Sequence, residues 1–197
     1  MTADHQSVHH DQSAHDQPHD HPDDHPLAPV AEADYRAAMA RFASGVTIVT
    51  TCLDGVDHAM TASAFTSVSL SPPLVLVCVE KIARFHSAVL SAGTWGVSVL
   101  TDDHHHVATR LAHRGRPLRG QLDGIPVHRG LTGAALLSAA AARLECRTVA
   151  VHDGGDHSIV VGEVVGSDTP PDPAPALVYY AGGYHAVSTR TDPDLQV

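Results

Sequence analysis

The sequence is poor in aromatic residues and cysteine, and it lacks a long apolar run. Aromatic side chains make up 4% of its 197 residues, so alanine, valine and leucine must fill most of any core. The three cysteines, Cys52, Cys78 and Cys146, are far apart and form no CxxC pair, which predicts reduced thiols in a cytoplasmic protein. No run reaches the roughly 18 apolar residues of a membrane span, and the first thirty residues lack the apolar stretch of a secretory signal.

Basic residues are also scarce, because 12 Lys and Arg stand against 22 acidic residues and Lys81 is the only lysine. The formal net charge of −10 argues against nucleic acid as the main partner, since phosphate backbones are bound by basic faces. The sequence also has no P-loop and no G-x-G-x-x-G after a predicted strand. A nucleotide cofactor would therefore bind on a fold other than the βαβ dinucleotide fold.

Histidine and aspartate are concentrated near the N-terminus instead. Residues 1–30 hold seven of the 17 histidines and six Asp, with no Lys or Arg. This composition buries too little apolar surface to offset its ordering entropy, so residues 1–32 are predicted to be a disordered tail. Its neutral imidazoles could bind divalent ions, which leaves metal handling as an alternative function. Residues 33–188 are expected to form one folded domain, followed by a C-terminal tail at 189–197.

The folded part begins with a predicted helix. Asp34 can cap its N-terminus, and Gly45 is expected to end it. Apolar side chains recur at i, i+3, i+4 and i+7, which is the spacing of one helical face. The residues of this face are Tyr35, Ala38, Met39 and Phe42.

Short strands dominate the remaining pattern. Apolar runs predict strands at 46–51, 74–79, 95–100, 157–165 and 177–180, and the continuous run at 74–79 predicts burial on both faces. Helices are predicted at 84–91 and 101–113, and 114–133 is predicted to be an irregular loop. The stretch 134–151 stays open, because its first half favours helix and its second half favours strand. At least six short strands with few helices predict an antiparallel barrel or sandwich.

Two segments combine polar side chains with places where a cofactor could approach. Thr61, Ser63 and Ser67 alternate with small or apolar residues, and on one strand they would form a face of small donors suited to a flat ligand. Lys81 and Arg84 stand where a predicted strand meets a helix N-terminus, which is a ready site for a phosphate. An exposed strand face and a solvated loop are the respective alternatives.

A third segment places two His and two Asp around a Gly-Gly turn. His152, Asp153, Asp156 and His157 could bind a metal ion, yet one hairpin rarely provides a closed site. His157 could instead contact a cofactor from the start of its strand. The three histidines at 104–106 are interpreted as a surface feature, because neighbouring helical residues point in different directions.

These segments, in this order and spacing, resemble the flavin reductase family, whose fold is the FMN-binding split barrel. That family includes the small reductase components of two-component flavin monooxygenases. The resemblance covers about residues 33–187. Its motifs read FASGVTIVT (42–50), TASAFTSVSL (61–70) with PPLVLV (72–77), GGDH (154–157) with GEV (162–164), and LVYY (177–180) with Gly183 and Tyr184.

The resemblance implies a mainly β fold, an antiparallel six-stranded split barrel with a few peripheral helices, and it makes 134–151 mostly strand. It also implies a homodimer with the flavin near the subunit interface. The implied enzyme is an NAD(P)H:flavin oxidoreductase of the cytoplasm. It would transfer hydride from NADH or NADPH to FMN or FAD and supply the reduced flavin to a partner monooxygenase. A non-catalytic flavin-binding or carrier protein on the same fold is the alternative.

The resemblance further implies the roles of individual residues. Flavin contacts fall on Thr61, Ala62, Ser63, Ala64, Phe65 and Ser67. Contacts near the flavin phosphate fall on Lys81, Ala83, Arg84 and Phe85. The nicotinamide cofactor would stack beside Gly154, Gly155, Asp156 and His157, with His157 as the catalytic contact and Tyr184 closing the site. Many relatives carry Ser or Thr in the phosphate loop where this chain has Ile82, Ala83 and Phe85, so phosphate binding would depend on Lys81, Arg84 and backbone amides.

Overall fold

The computed structural model of the protein describes residues 28–188, which form three α-helices, one 3-10 helix at Asp102–His104 and twelve β-strands. The helices are α1 (Glu32–Met39), α2 (Arg84–Ala92) and α3 (His105–Ala112). The strands are β1 (Ser44–Gly45), β2 (Thr47–Leu53), β3 (Val56–Ala62), β4 (Phe65–Leu70), β5 (Pro73–Glu80), β6 (Thr94–Val99), β7 (Val127–Arg129), β8 (Ala135–Leu137), β9 (Ala142–Gly154), β10 (His157–Asp168), β11 (Ala176–Tyr180) and β12 (Gly183–Val187). The predicted N-terminal tail lies outside the described residues except for 28–32, and the predicted C-terminal tail lies wholly outside them.

The largest sheet within residues 28–188 is antiparallel and has seven strands in the order β3-β2-β6-β9-β10-β5-β4. A three-stranded sheet, β1-β11-β12, and the pair β7-β8 accompany it. The predicted mainly β fold with few helices is confirmed, but the predicted six-stranded barrel is wrong, because this sheet is open and has seven strands. The chain turns between Ala62 and Phe65, so β3 pairs with β2 while β4 pairs with β5, and these edge strands do not pair with each other.

Two clusters of buried side chains lie on opposite faces of this sheet. Neighbouring residues of β2 divide between them, since Ile48 belongs to the first core cluster and Val49 to the second. Helix α3 packs on the first cluster through Val107, Ala108 and Leu111, whereas α2 packs on the second through Phe85 and Val89. Helices α2 and α3 therefore cover different faces of one sheet.

Helix α1 differs from its prediction. It begins after Ala31, which is the N-cap without a side-chain hydrogen bond, and it ends at Met39 rather than near Gly45. The carbonyl of Ala40 accepts a hydrogen bond of 2.8 Å from the amide of Ala181, which draws the chain away from helical geometry toward β11 and β12. Asp34 lies in the first turn, where its charge favours the helix dipole. No residue of α1 is buried.

The other predicted elements agree more closely with the structure. The turn after β2 has Asp54 and Gly55 at φ of 50° and 73°, as a tight hairpin requires. The stretch 134–151 is mostly strand, in β8 and β9, as the resemblance implies. The burial predicted for 74–79 is half right, because Val75, Val77 and Val79 are buried and their neighbours on the other face are half-buried. No helix in residues 28–188 has both the length and the apolar character to cross a membrane.

Replacing Gly162 with Ala is expected to destabilise the protein by roughly 1–3 kcal/mol, the usual cost of overpacking a core. A Cβ there would overlap Cζ2 of Trp95 and lie 3.0 Å from the Cβ of Cys146, and both side chains are fully buried. Urea unfolding of the flavin-free protein measures the change. Gly45→Ala is the matched control, since a Cβ at Gly45 meets nothing within 4 Å. Equal loss of stability in both variants would contradict the packing argument.

Candidate functional site

A cavity of about 370 Å³ lies where β5 passes into α2. Its walls come from β3, the end of β5, the first turn of α2, the end of α3 with the loop at 113–116, and the start of β10. Five of the residues predicted from the sequence line it together: Thr61, Ala83, Arg84, Phe85 and His157. Residues from three separate sequence segments therefore meet at one place.

The remaining predicted residues lie outside the lining of this cavity. Ala62 is buried in the second core cluster, and Phe65 is half-buried against that cluster. Tyr184 packs against the first core cluster, with its ring centroid 5.6 Å from that of Tyr179. The exposed residues are Ser63, Ala64, Ser67, Gly154, Gly155 and Asp156, together with Lys81 at the end of β5.

The predicted row of hydroxyl groups is divided by the corner between β3 and β4. Thr61 lies on β3 and Ser67 on β4, and Ser63 stands between the two strands, so the three residues do not share one strand face. Thr61 alone of the three lines the cavity, and its Oγ1 donates a hydrogen bond of 2.7 Å to the carbonyl of Ala108. That bond holds α3 against β3 and leaves the lone pairs of the hydroxyl as acceptors.

Lys81 is bound to the hairpin that joins β9 to β10. Its Nζ forms an ion pair with Asp153 and donates to the carbonyl of Gly155 at 2.6 Å, and its amide donates to the carbonyl of Asp156 at 2.9 Å. The hydrogen bond from Lys81 holds the pKa of Asp153 below its usual value. Its ammonium thus has a carboxylate and a carbonyl partner within the chain. The phosphate contact of Lys81 stays a prediction.

His157 opens β10 at the edge of the cavity and is held by its neighbour. Its Nδ1 lies 2.7 Å from Oδ1 of Asp156, and this hydrogen bond holds the pKa of the Asp156 carboxyl below its usual value. Within residues 28–188, Nε2 of His157 has no hydrogen-bond partner. The ring is therefore oriented from one side and free to meet a ligand from the other.

Sequence reasoning missed the loop at 113–116, which was predicted only as the end of a helix, at 113, and the start of an irregular stretch at 114. Arg114 of this loop pairs with Glu80 at 2.7 and 2.9 Å. Arg116 donates to the carbonyl of Ala59 at 2.8 Å, and Arg84 donates in turn to the carbonyl of Arg116. Burial, and then the charge of Arg84, lower the pKa of Arg116. The motif His-Arg-Gly-Arg at 113–116 was the available signal, since it concentrates basic residues in a short loop.

Residues 39–188 match the family model described as the flavin reductase like domain. The chain belongs to this family. An NADH-dependent flavin reductase of Rhodococcus is 42% identical over 159 residues, covering 77% of this chain and 84% of the relative. The reductase component of 4-hydroxyphenylacetate 3-monooxygenase of Thermus thermophilus is 40% identical over 154 residues, covering 76% and 93%. The predicted family is thereby confirmed.

Solved structures of flavin reductases have the same fold. The flavin reductase component of a bacterial two-component tryptophan halogenase superposes with a TM-score of 0.77 at 44% identity, covering 81% of this chain and all of that chain. An NADH:FAD oxidoreductase of Streptomyces globisporus, in complex with NAD and FAD fragments, gives 0.75 at 34% identity and covers 87% and 99%. Both superpositions extend over nearly the whole length of the solved chains.

The cavity of this flavin reductase domain suits the phosphate of a cofactor. The N-cap of α2 is Ala83, which has no side chain able to cap, so the first amides of the helix are left for another acceptor. Arg84 lies in that same first turn, and Arg116 lines the cavity from the loop at 113–116. Arg116 Nε is fully buried and has no hydrogen-bond partner within residues 28–188.

Two variants separate a positioning role of Lys81 from a phosphate contact. Lys81→Met and Asp153→Asn remove the same exposed ion pair, so both are expected to raise the KM for NADH by a similar factor, roughly two- to fivefold, because exposed pairs position side chains only weakly. Flavin titration followed by fluorescence is expected to give unchanged affinity for FMN in both. Loss of FMN affinity in Lys81→Met alone, with riboflavin affinity unchanged, would instead assign Lys81 to the flavin phosphate.

Proposed function

We propose that this chain is an NAD(P)H-dependent flavin reductase, which transfers hydride from reduced nicotinamide to FMN or FAD. The observation that carries the proposal is the meeting of His157 and the uncapped first turn of α2 in one cavity of a flavin reductase domain. The named activities of its relatives, an NADH-dependent flavin reductase and an NADH-dependent FAD reductase, support the same conclusion.

The chemistry of this reaction would belong to the cofactors, since a bound flavin would supply the acceptor for the hydride of a reduced nicotinamide. The chain supplies binding and orientation. The first turn of α2 binds the flavin phosphate, and His157, oriented by Asp156, contacts the nicotinamide cofactor from the β9–β10 hairpin. No side-chain nucleophile is required. Among the described residues, the one carboxylate of the cavity lining, Glu80, is already bound by Arg114, and the other polar groups include backbone amides, arginines and histidines.

The flavin ring is proposed to lie along the corner between β3 and β4. Its contacts there are Thr61, Ala62, Ser63, Ala64, Phe65 and Ser67, with Gly154 and Gly155 leaving room beside it. Tyr184 does not line the cavity of its own chain, so its proposed role in closing the site belongs with the homodimer that is part of this proposal.

The reduced flavin is proposed to leave and serve a flavin-dependent monooxygenase. Relatives named as reductase components of monooxygenases support a separate partner of this kind. A cytoplasmic location is also proposed, because Cys52, Cys78 and Cys146 are all free thiols.

The direct test mixes the purified full-length protein with NADH or NADPH and with FMN or FAD, and follows nicotinamide oxidation. Oxidation that requires added flavin is the expected result. A protein that binds flavin but oxidises neither nicotinamide would be a carrier, and the proposal would fail. Removal of residues 1–30 is expected to leave the rate unchanged, whereas loss of activity would assign the function to the His-rich tail.

His157→Ala is expected to raise the KM for NADH, or lower turnover, by roughly 2- to 10-fold, the effect of losing one hydrogen bond of about 0.5–1.5 kcal/mol. Steady-state kinetics at saturating flavin measures it, and a parallel titration is expected to show flavin affinity largely intact. His152→Ala is the matched control, because His152 is exposed in the same hairpin and lies outside the cavity lining. Equal loss of flavin binding in His157→Ala would show that His157 was given the wrong role.

A further inference from the structure

The cavity contains two separate devices for binding anions. The first is the N-terminus of the nine-residue helix α2, where Ala83 is extended at φ −71° and ψ 136° and no side chain caps the helix. Free amides and the helix dipole at such an end suit one phosphate group. The second device uses side chains rather than backbone, namely Arg84 of the same first turn and Arg116 of the loop at 113–116.

The second device is a pair of guanidinium groups without carboxylate partners. Arg84 donates to the carbonyl of Arg116, and Arg116 donates to the carbonyls of His113 and Ala59. Neither arginine forms an ion pair with any acidic residue among residues 28–188. The charge of Arg84, after burial, lowers the pKa of Arg116, so the two positive charges interact, and an anion bound between them would offset their repulsion.

His58 lines the cavity together with these two arginines. Its side chain is only 9% exposed, it lines the cavity, and within the described part of the chain no group forms a hydrogen bond with its ring. Neither ring nitrogen of His58 belongs to the fully buried, unpartnered atoms of the described residues, so both keep access to the cavity and can meet a ligand there. Burial, and then the charge of Arg84, hold the pKa of His58 below its usual value, which keeps the ring neutral with one donor and one acceptor.

We infer that Arg84, Arg116 and His58 form a subsite for the pyrophosphate of a dinucleotide, beside the single-phosphate site at the N-terminus of α2. A single phosphate group binds at the N-terminus of α2. In a pyrophosphate, the second phosphate group also contacts the arginine pair. The inference rests on the proposed function, which offers two dinucleotides to this cavity, FAD and NADH. A guanidinium group binds phosphate oxygens through two parallel N–H donors, and the neutral ring of His58 can donate one further hydrogen bond to the same group.

The test compares FAD, FMN and NADH in Arg116→Gln. Fluorescence titration without nicotinamide measures the affinities for FAD and FMN, and steady-state kinetics with FMN measures the KM for NADH. Loss of FAD affinity by roughly 10- to 100-fold with FMN unchanged is the expected result for a flavin dinucleotide, because a charge-assisted hydrogen bond is lost. A similar rise in the KM for NADH, with both flavins unchanged, supports the subsite and assigns it to NADH. Equal changes for FAD and FMN, or no change for any of the three, would overturn the inference.

Two further measurements keep the test independent of folding. Arg114→Gln is the matched control, because this exposed arginine of the same loop already pairs with Glu80, and it is expected to leave all three affinities unchanged. In the wild-type protein, inorganic pyrophosphate is expected to displace the dinucleotide at concentrations where inorganic phosphate of equal ionic strength does not. Equal displacement by the two anions would also overturn the inference.

Nicotinamide oxidation by the wild-type protein with FMN tests the proposed function separately. If only this oxidation failed, the pyrophosphate displacement would still test the subsite.

Discussion

The antiparallel register between β5 and β10 positions both halves of the candidate site. His157 lies opposite Glu80 of β5 and opposite Gly154 of β9, so the hairpin is carried to the point where β5 passes into α2. A shift of one residue would turn His157 to the other face of the sheet. The amide of Lys81 donates to the carbonyl of Asp156, and its ammonium pairs with Asp153. These contacts between the end of β5 and the β9–β10 hairpin stabilise the register that positions His157.

The distribution of charge in this chain favours anionic ligands despite its formal net charge of −10. Five arginines of residues 28–188 are compensated by ion pairs with carboxylates, namely Arg36, Arg114, Arg129, Arg143 and Arg147. Arg84 and Arg116 are bound only to backbone carbonyls and keep their charge uncompensated inside a cavity. A partly enclosed site with low-dielectric walls concentrates such a field on its ligand.

One unpaired polar atom beside this cavity decreases the stability of the protein. A buried donor or acceptor without a partner costs about 1–3 kcal/mol, and Nε of Arg116 is such an atom within the described residues. A ligand that binds only the folded state stabilises the fold by mass action. The loop at 113–116 is meanwhile held to β3 by the bond from Arg116 to Ala59, so the arginines are positioned before the ligand arrives.

Local pattern in the sequence determined most of the strands, helix α2 and the family. Alternation of apolar residues, turn residues such as Asp54-Gly55, and the spacing of four motifs act over short distances along the chain, so they can be seen without a structure. Only the tertiary structure decided the seven-stranded open sheet, the early end of α1, the partners of Lys81, and the meeting of Arg84 with Arg116 and His58. These features depend on long-range contacts, such as that between Arg84 and Arg116, which are 32 residues apart. Which loop covers a cavity is set by how helices and sheet pack together, and no periodicity along the chain encodes that.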